Sequence, residues 1–419
     1  MSVSIKNKSQ ISYILDFILC ILFFGLLPID TLNGYLLNNS IVIPLPFSIA
    51  QIYKIILLGF LILKLCFRPK LLIYALAILI ILFLPTIFQF FKTQETWHIS
   101  LDLIKISRYL ITITSFYFFS NYFQNNRAEV FIFSIVYFSY FIVVANILLV
   151  YIGHGYPMYE IGEIGSKGFF YAGNEASVLL VILSAIIGKH LWKKRKKVVY
   201  FLLGFLSLFT ALTLSSKTSM LGVLVVLILI PIRKPNFEKI NFRSLFQYSF
   251  FLVAIVPILI YQVWLYIRSA DIYNRFSYYW AELDIMTFIF SSRNTYLSHF
   301  IEVYKNDYSF LDKIIGIGES RYESLSIMGI IEIDIIDILF AQGVIGALLF
   351  LFLLLFILMQ ANRFSNFSQY KYSNFTFLMC ILLFFISCFT GHTFNSGMAG
   401  PFIGLAFAMM YIKPEQPNS

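Results

Sequence analysis

Several polar residues of this chain sit where a charge is expensive. Asp102, Lys105 and Arg108 follow one another at i, i+3, i+6 inside an apolar run, and Glu332, Asp334 and Asp337 open another. Lys217 lies in Leu214-Ser215-Ser216-Lys217-Thr218-Ser219, and Asn174 and Glu175 end an aromatic lead-in that starts at Lys167. His392 lies in Thr390-Gly391-His392-Thr393-Phe394-Asn395-Ser396-Gly397. Ionisable groups beside or inside hydrocarbon cost several kcal/mol unless they are paired or face water, so each marks a candidate site. The cations Arg293, Lys217, Arg108 and Arg321 could meet an anion, and Glu332, Asp334 and His392 could accept a proton.

Each residue also has a plainer reading. Asp102 can pair with Lys105 or Arg108, Lys217 can anchor a helix end at the interface, and Asn174 can cap a helix. His392 can be structural. Arg293 can be a surface arginine at a helix start.

The elements that must position these groups follow from composition. Hydrophobic residues make up 59% of 419 positions and charged ones 12%, with a mean hydropathy of +0.82. That excludes a soluble globular chain and predicts an all-α, polytopic membrane bundle. A span needs about 20 apolar residues, and about 12 stretches qualify. They are centred near Phe17, Ile56, Leu79, Ile113, Phe138, Leu183, Leu208, Val225, Ala254, Phe350, Leu382 and Leu405. The first apolar run has no small-residue cleavage site and is expected to remain as a span.

Basic residues set the orientation. Lys6 and Lys8, Arg68 and Lys70, Arg127, Lys193 to Lys197, Arg233 to Arg243, and Arg363 and Lys371 fall on alternate inter-span loops. This predicts cytoplasmic N- and C-termini. The net charge of +10 is thereby accounted for by topology and anionic lipid, which leaves little support for nucleic acid. Cys20, Cys66, Cys380 and Cys388 lie in or at the ends of spans with no metal-ligand spacing, and read as apolar fillers.

One integral membrane domain, residues 1–419, is expected, with a long periplasmic loop at residues 268–333 between the ninth and tenth spans. Within it, Ser291-Ser292-Arg293-Asn294 precedes Leu297, Phe300, Ile301 and Tyr304. The spacing predicts a serine-capped amphipathic helix with Arg293 in its first turn, where free amides favour an anion. Ile315-Gly316-Ile317-Gly318-Glu319-Ser320-Arg321 then reads as a turn whose glycines permit close backbone approach. All the candidate residues fall on the same outer face. The two halves of the chain do not match and the long loop is external, which argues for an enzyme over a carrier.

From about Leu206 to Leu405 the residues resemble the O-antigen polymerase and ligase superfamily of surface-polysaccharide enzymes. The resemblance rests on Ser216-Lys217, Arg293, Gly316-Ile317-Gly318, a polar residue eleven positions before Gly343, and Gly391-His392, with Gly168 to Glu175 similar to an aromatic, Asn-rich motif. Two departures stand out. Glu332-Ile333-Asp334 replaces the His-Asn that ligases usually carry, and Lys217 replaces an arginine, keeping the charge but not the bidentate geometry.

The resemblance implies a donor glycan on undecaprenyl pyrophosphate, an acceptor repeat unit on the same lipid, and transfer at the periplasmic face. No cofactor or metal is expected. Arg293, Lys217, Arg108 and Arg321 would hold the pyrophosphate, Glu332, Asp334 and His392 would supply the base, and Asn174 and Glu175 would bind other parts of the substrate. Partners would be the lipid-linked oligosaccharide, the bilayer and, as a further candidate, a chain-length-determining membrane protein. The acidic departure favours a polymerase. A ligase that moves polymer onto lipid A-core is the first alternative and a flippase-like carrier the second.

Overall fold

Long apolar runs leave the backbone no polar partner but itself, and in the computed structural model they are helices. The structure describes residues 2–41, 44, 47–124, 129–159, 163–231, 287, 290–325, 330–367, 369, 370 and 372–413, with side chains from residue 10. The expected span at Ala254, the loop start at Arg268, and the basic residues Arg127, Arg233, Lys234, Lys239, Arg243 and Lys371 lie outside the described residues.

In chain order the helices are α1 (Ser2–Asn38), α2 (Ile49–Leu65), α3 (Pro69–Thr93), α4 (Trp97–Gln124), α5 (Glu129–Leu148), α6 (Gly173–Lys193), α7 (Lys197–Leu214) and α8 (Lys217–Leu229). After the segment outside the described residues come α9 (Arg293–Asn306), α10 (Phe310–Ile315), α11 (Glu319–Leu325), α12 (Asp334–Ser365), α13 (Ser373–Phe389) and α14 (Gly400–Ala408). Every expected span centre except Ala254 falls in one of them. Among the described residues, 6 helices are long and apolar enough to cross a membrane: α1, α3, α5 with its 3-10 extension, α6, α7 and α12. Helix α4, at 28 residues longer than several of these, is more polar and is not in that set.

Helix α6 is the central column, with 83% of its apolar window buried. Helix α14, buried along its whole length, packs on α4. Gly404 makes that contact close, since a Cβ there would lie 2.6 Å from the Thr112 carbonyl and 2.7 Å from the Phe116 amide. Helix α12 is broken at Gly343, whose φ of 66° and ψ of −172° suit glycine alone. The break receives the loop. A Cβ on Gly343 would lie 2.5 Å from the Gly316 amide, and one on Gly316 would lie 2.6 Å from the Gln342 carbonyl carbon. Gly316 and Gly343 therefore meet backbone to backbone.

Candidate functional site

Antiparallel neighbours alternate in direction, so the end of α1 and the starts of α2, α4, α6, α8, α12 and α14 lie at one end of the bundle. Contacts distant in sequence join them there. Ala50 donates to Asn33 Oδ1 from α2 to α1, and Lys54 pairs with Asp30 at 2.6 Å. All the sequence candidates are found at this end.

Arg293 opens α9, as the spacing predicts, but the cap differs from expectation. Ser292 adopts a left-handed φ of 68° and its hydroxyl makes no cap; its carbonyl accepts from Thr295 N instead. The buried stripe also differs. Phe300 is buried and Tyr296, Leu297, Val303 and Tyr304 pack beside it, whereas Ile301 stays exposed. The stripe holds α9 against Tyr322 and Phe340, so the Arg293 guanidinium is aimed inward. It donates through Nη1 to the Phe389 carbonyl at 3.1 Å and through Nη2 to Glu332 Oε2, while Nε is buried without a hydrogen-bond partner among the described residues.

Glu332 is the junction of the site. Besides Arg293, its Oε2 accepts from Asn174 Nδ2 at 3.4 Å, and its Oε1 lies 3.8 Å from His392 Nε2. Glu332 has a left-handed φ of 63°, held where Gly391 allows contact: a Cβ on Gly391 would sit 2.5 Å from the Glu332 Cα. Asn174 therefore contacts a carboxylate and is not the helix cap, a position taken by Ala172. Lys217 begins α8, and its Nζ donates to Ser291 Oγ at 3.2 Å, two residues before Arg293. Lys217 and Arg293 repel one another, and together they attract an anion more strongly than either alone.

Two carboxylates build the turn that carries His392. Asp334 accepts from the backbone amides of His392 at 2.8 Å, Thr393 at 3.0 Å and Phe394 at 2.9 Å. Glu175 accepts from Ser396 Oγ and from the Met398 amide at 3.2 Å. Asp334 is engaged through both oxygens with main chain and Glu175 through Oε2 with a hydroxyl and main chain, and they hold the turn from its two ends. Arg108 and Lys54 lie within electrostatic reach of Glu175, and the Arg108 side chain makes no hydrogen bond or ion pair among the described residues, while its carbonyl accepts from Thr112 Oγ1.

The loop is fastened by further long-range contacts that no spacing announces. Asp312 closes a capping box with Ser309 and accepts from Gln89 at 2.7 Å and Lys92 at 2.6 Å. These donors hold its carboxyl below the usual range despite burial. Asp102 does not pair with Lys105 or Arg108. It accepts from the Ser320 amide at 2.6 Å and Thr86 Oγ1 at 2.7 Å, and Lys105 pairs with Glu323 on α11. Gly318 permits this approach, for a Cβ there would be 2.5 Å from Asp102 Oδ2. Burial pushes the Glu319 carboxyl up to about 7. Arg321, on α11, has Tyr308 as its electrostatic neighbour and no contact with Arg293 or Glu332.

The structure thus gathers Arg293, Glu332, Asn174 and His392, with Lys217 adjacent and Asp334 and Glu175 behind the turn. Arg321 stands apart. Asp30 and Lys54 were missed in the sequence, although charges inside apolar runs are the signal that drew attention to the rest. Among the described residues no group of three or more His, Cys, Asp or Glu side chains is arranged to hold a metal ion. An apolar groove runs between α3, α4, α12 and α14, lined by Leu82, Tyr109, Phe116, Ile338, Phe350 and Phe394 among others. Phe394, two residues from His392, connects it to the site.

Compared with known proteins, the whole chain matches no curated protein and no solved structure. Residues 274–413 match the family model of the O-antigen ligase like membrane proteins. The stretch that carries Arg293, Glu332, Asp334 and His392 is thereby similar to that family, in agreement with the resemblance read from its motifs.

Proposed function

We propose that this chain polymerises lipid-linked polysaccharide repeat units, transferring the growing glycan from undecaprenyl pyrophosphate to a new lipid-linked repeat at the periplasmic face of the inner membrane. The family match supports membrane glycan processing of the glycosyltransferase type in general terms. The observation that carries the finer reading is the Glu332 junction, where a buried guanidinium, an amide and an imidazole converge from distant parts of the chain on one carboxylate.

In the resting site Glu332 neutralises Arg293. A pyrophosphate carries more charge than one carboxylate and competes for the guanidinium, with Lys217 beside it and Arg108 on the other side of the His392 turn. Glu332, released from Arg293, remains beside His392 and orients its ring. His392 then takes the proton of the acceptor hydroxyl as that oxygen bonds to the anomeric carbon. The bond from that carbon to the pyrophosphate breaks, and its electron pair leaves on the phosphate oxygen. Asp334 and Glu175 act through the turn as positioning residues, in place of the base and substrate-binding roles that the resemblance implies. The groove between α3, α4, α12 and α14 suits the polyprenyl chain.

Arg293→Ala is expected to abolish polymer in cells while the protein still inserts, and an unchanged chain-length ladder would sink the assignment. A deletion strain separates polymerase from ligase. Core bearing a single repeat unit indicates lost polymerase, and bare core with polymer retained on the lipid carrier indicates lost ligase.

A further inference from the structure

Among the described residues helix α3 is the least covered of the candidate spans, with 28% of its most apolar stretch buried. Its exposed residues Ile73, Ile80, Ile87 and Phe91 form one stripe, since the interval from Ile73 to Phe91 is about five turns at 3.6 residues per turn. An exposed apolar stripe on a helix of this length and hydropathy suits contact with lipid. It ends at Phe91, 70% exposed, directly before Lys92, whose Nζ holds Asp312 of α10 at 2.6 Å. The two residues before Asp312 are Phe310, 76% exposed, and Leu311, 50% exposed. Two large apolar side chains on a polar loop are thus fixed at the head of a lipid-facing stripe. Around them stand the residues of a membrane interface. Trp97 is exposed at the start of α4, and the Lys313 Nζ lies 5.4 Å from the Tyr304 ring centroid while also donating to the Lys305 carbonyl.

We propose that α10 is an interfacial anchor, with Phe310 and Leu311 inserted among lipid acyl chains and Lys92, Lys305 and Lys313 at the level of anionic headgroups. The occupant of this surface is the bilayer itself. The surface continues the lipid-facing stripe of α3, and its lysines complement the negative charge of the headgroups. The anchor sets the depth of α9 and α11 and so holds the loop over the Glu332 junction. The inference stands independently of the transfer chemistry.

The test places a nitroxide at position 310 through Phe310→Cys, in the full-length chain with Cys20, Cys66, Cys380 and Cys388 replaced by alanine. The protein is reconstituted in vesicles of phosphatidylethanolamine and phosphatidylglycerol. Collision with oxygen, which partitions into lipid, is compared with collision with a water-soluble nickel chelate. Expected is an oxygen-to-nickel ratio severalfold above that of the exposed position Glu302→Cys and approaching that of Ile80→Cys in the lipid stripe. A ratio equal to that at Glu302 overturns the proposal, and so does exclusion of both reagents, which would indicate a protein partner. Leu311→Cys, labelled in the same way, gives the same reading if Phe310→Cys does not fold.

Discussion

Replacement of Asp334 by asparagine separates a clamp from a base. One carboxylate oxygen accepts from His392 N and the other from both Thr393 N and Phe394 N, at 2.8 to 3.0 Å. An asparagine offers one acceptor and one donor. Its best orientation keeps the Thr393 and Phe394 bonds and points an amide N–H at the His392 N–H. One charge-assisted bond is then lost and the other two become neutral, which amounts to about 2.5–7 kcal/mol when a hydrogen bond to a charged group is worth about 1.5–3 and a neutral one about 1. Purified wild-type and Asp334→Asn proteins in mixed micelles, unfolded by denaturant, are expected to differ by about that amount, with polymer formation falling in parallel because the His392 turn shifts. Abolished activity at wild-type stability would refute the clamp and restore Asp334 as a catalytic base.

Two other perturbations test the frame around the site. Gly343→Ala puts a methyl group against the backbone of Gly316 at a conformation reserved for glycine, so loss of at least about 3 kcal/mol and of loop protection from protease is expected; a stable variant would mean that the α12 break is dispensable. Glu319, with its carboxyl pushed from 4.5 up to about 7, binds more protons in the folded state than in the unfolded one across that window. Its contribution to stability is therefore full below the lower value and declines as pH rises to the higher one, by about 3 kcal/mol in all. Glu319→Gln is expected to flatten that slope in melting curves taken across the window, and an unchanged slope would assign it to other groups.

Much of the scaffold was legible in the sequence because the bilayer demands it. A run such as Gly173–Lys193 has one way to satisfy its backbone in hydrocarbon, and the alternation of spans carries Asn174, Lys217, Asp334 and His392 to one end whatever their separation. The Gly316 turn was legible as a close approach but not its partner, since nothing local links it to Gly343. Partners of charges were the least legible. Asp102 has Lys105 and Arg108 one and two turns away, yet it is satisfied by Ser320 and Thr86, which reach it through tertiary packing. The Ser292 cap failed for a related reason. Helix α9 is held by Phe300 against Tyr322 and Phe340, and the strength of that packing fixes the entering backbone in a conformation where the hydroxyl has no amide to accept from.

The central claim is that Arg293 and His392 transfer glycan from a lipid pyrophosphate. It is tested most directly with purified protein in nanodiscs, given a lipid-linked repeat unit and no nucleotide sugar. The account predicts a ladder of products from the wild type, with free pyrophosphate lipid released at each step. It predicts neither product from Arg293→Ala or His392→Ala, both folded by the criterion of unchanged melting. A ladder of wild-type length from either variant would contradict it.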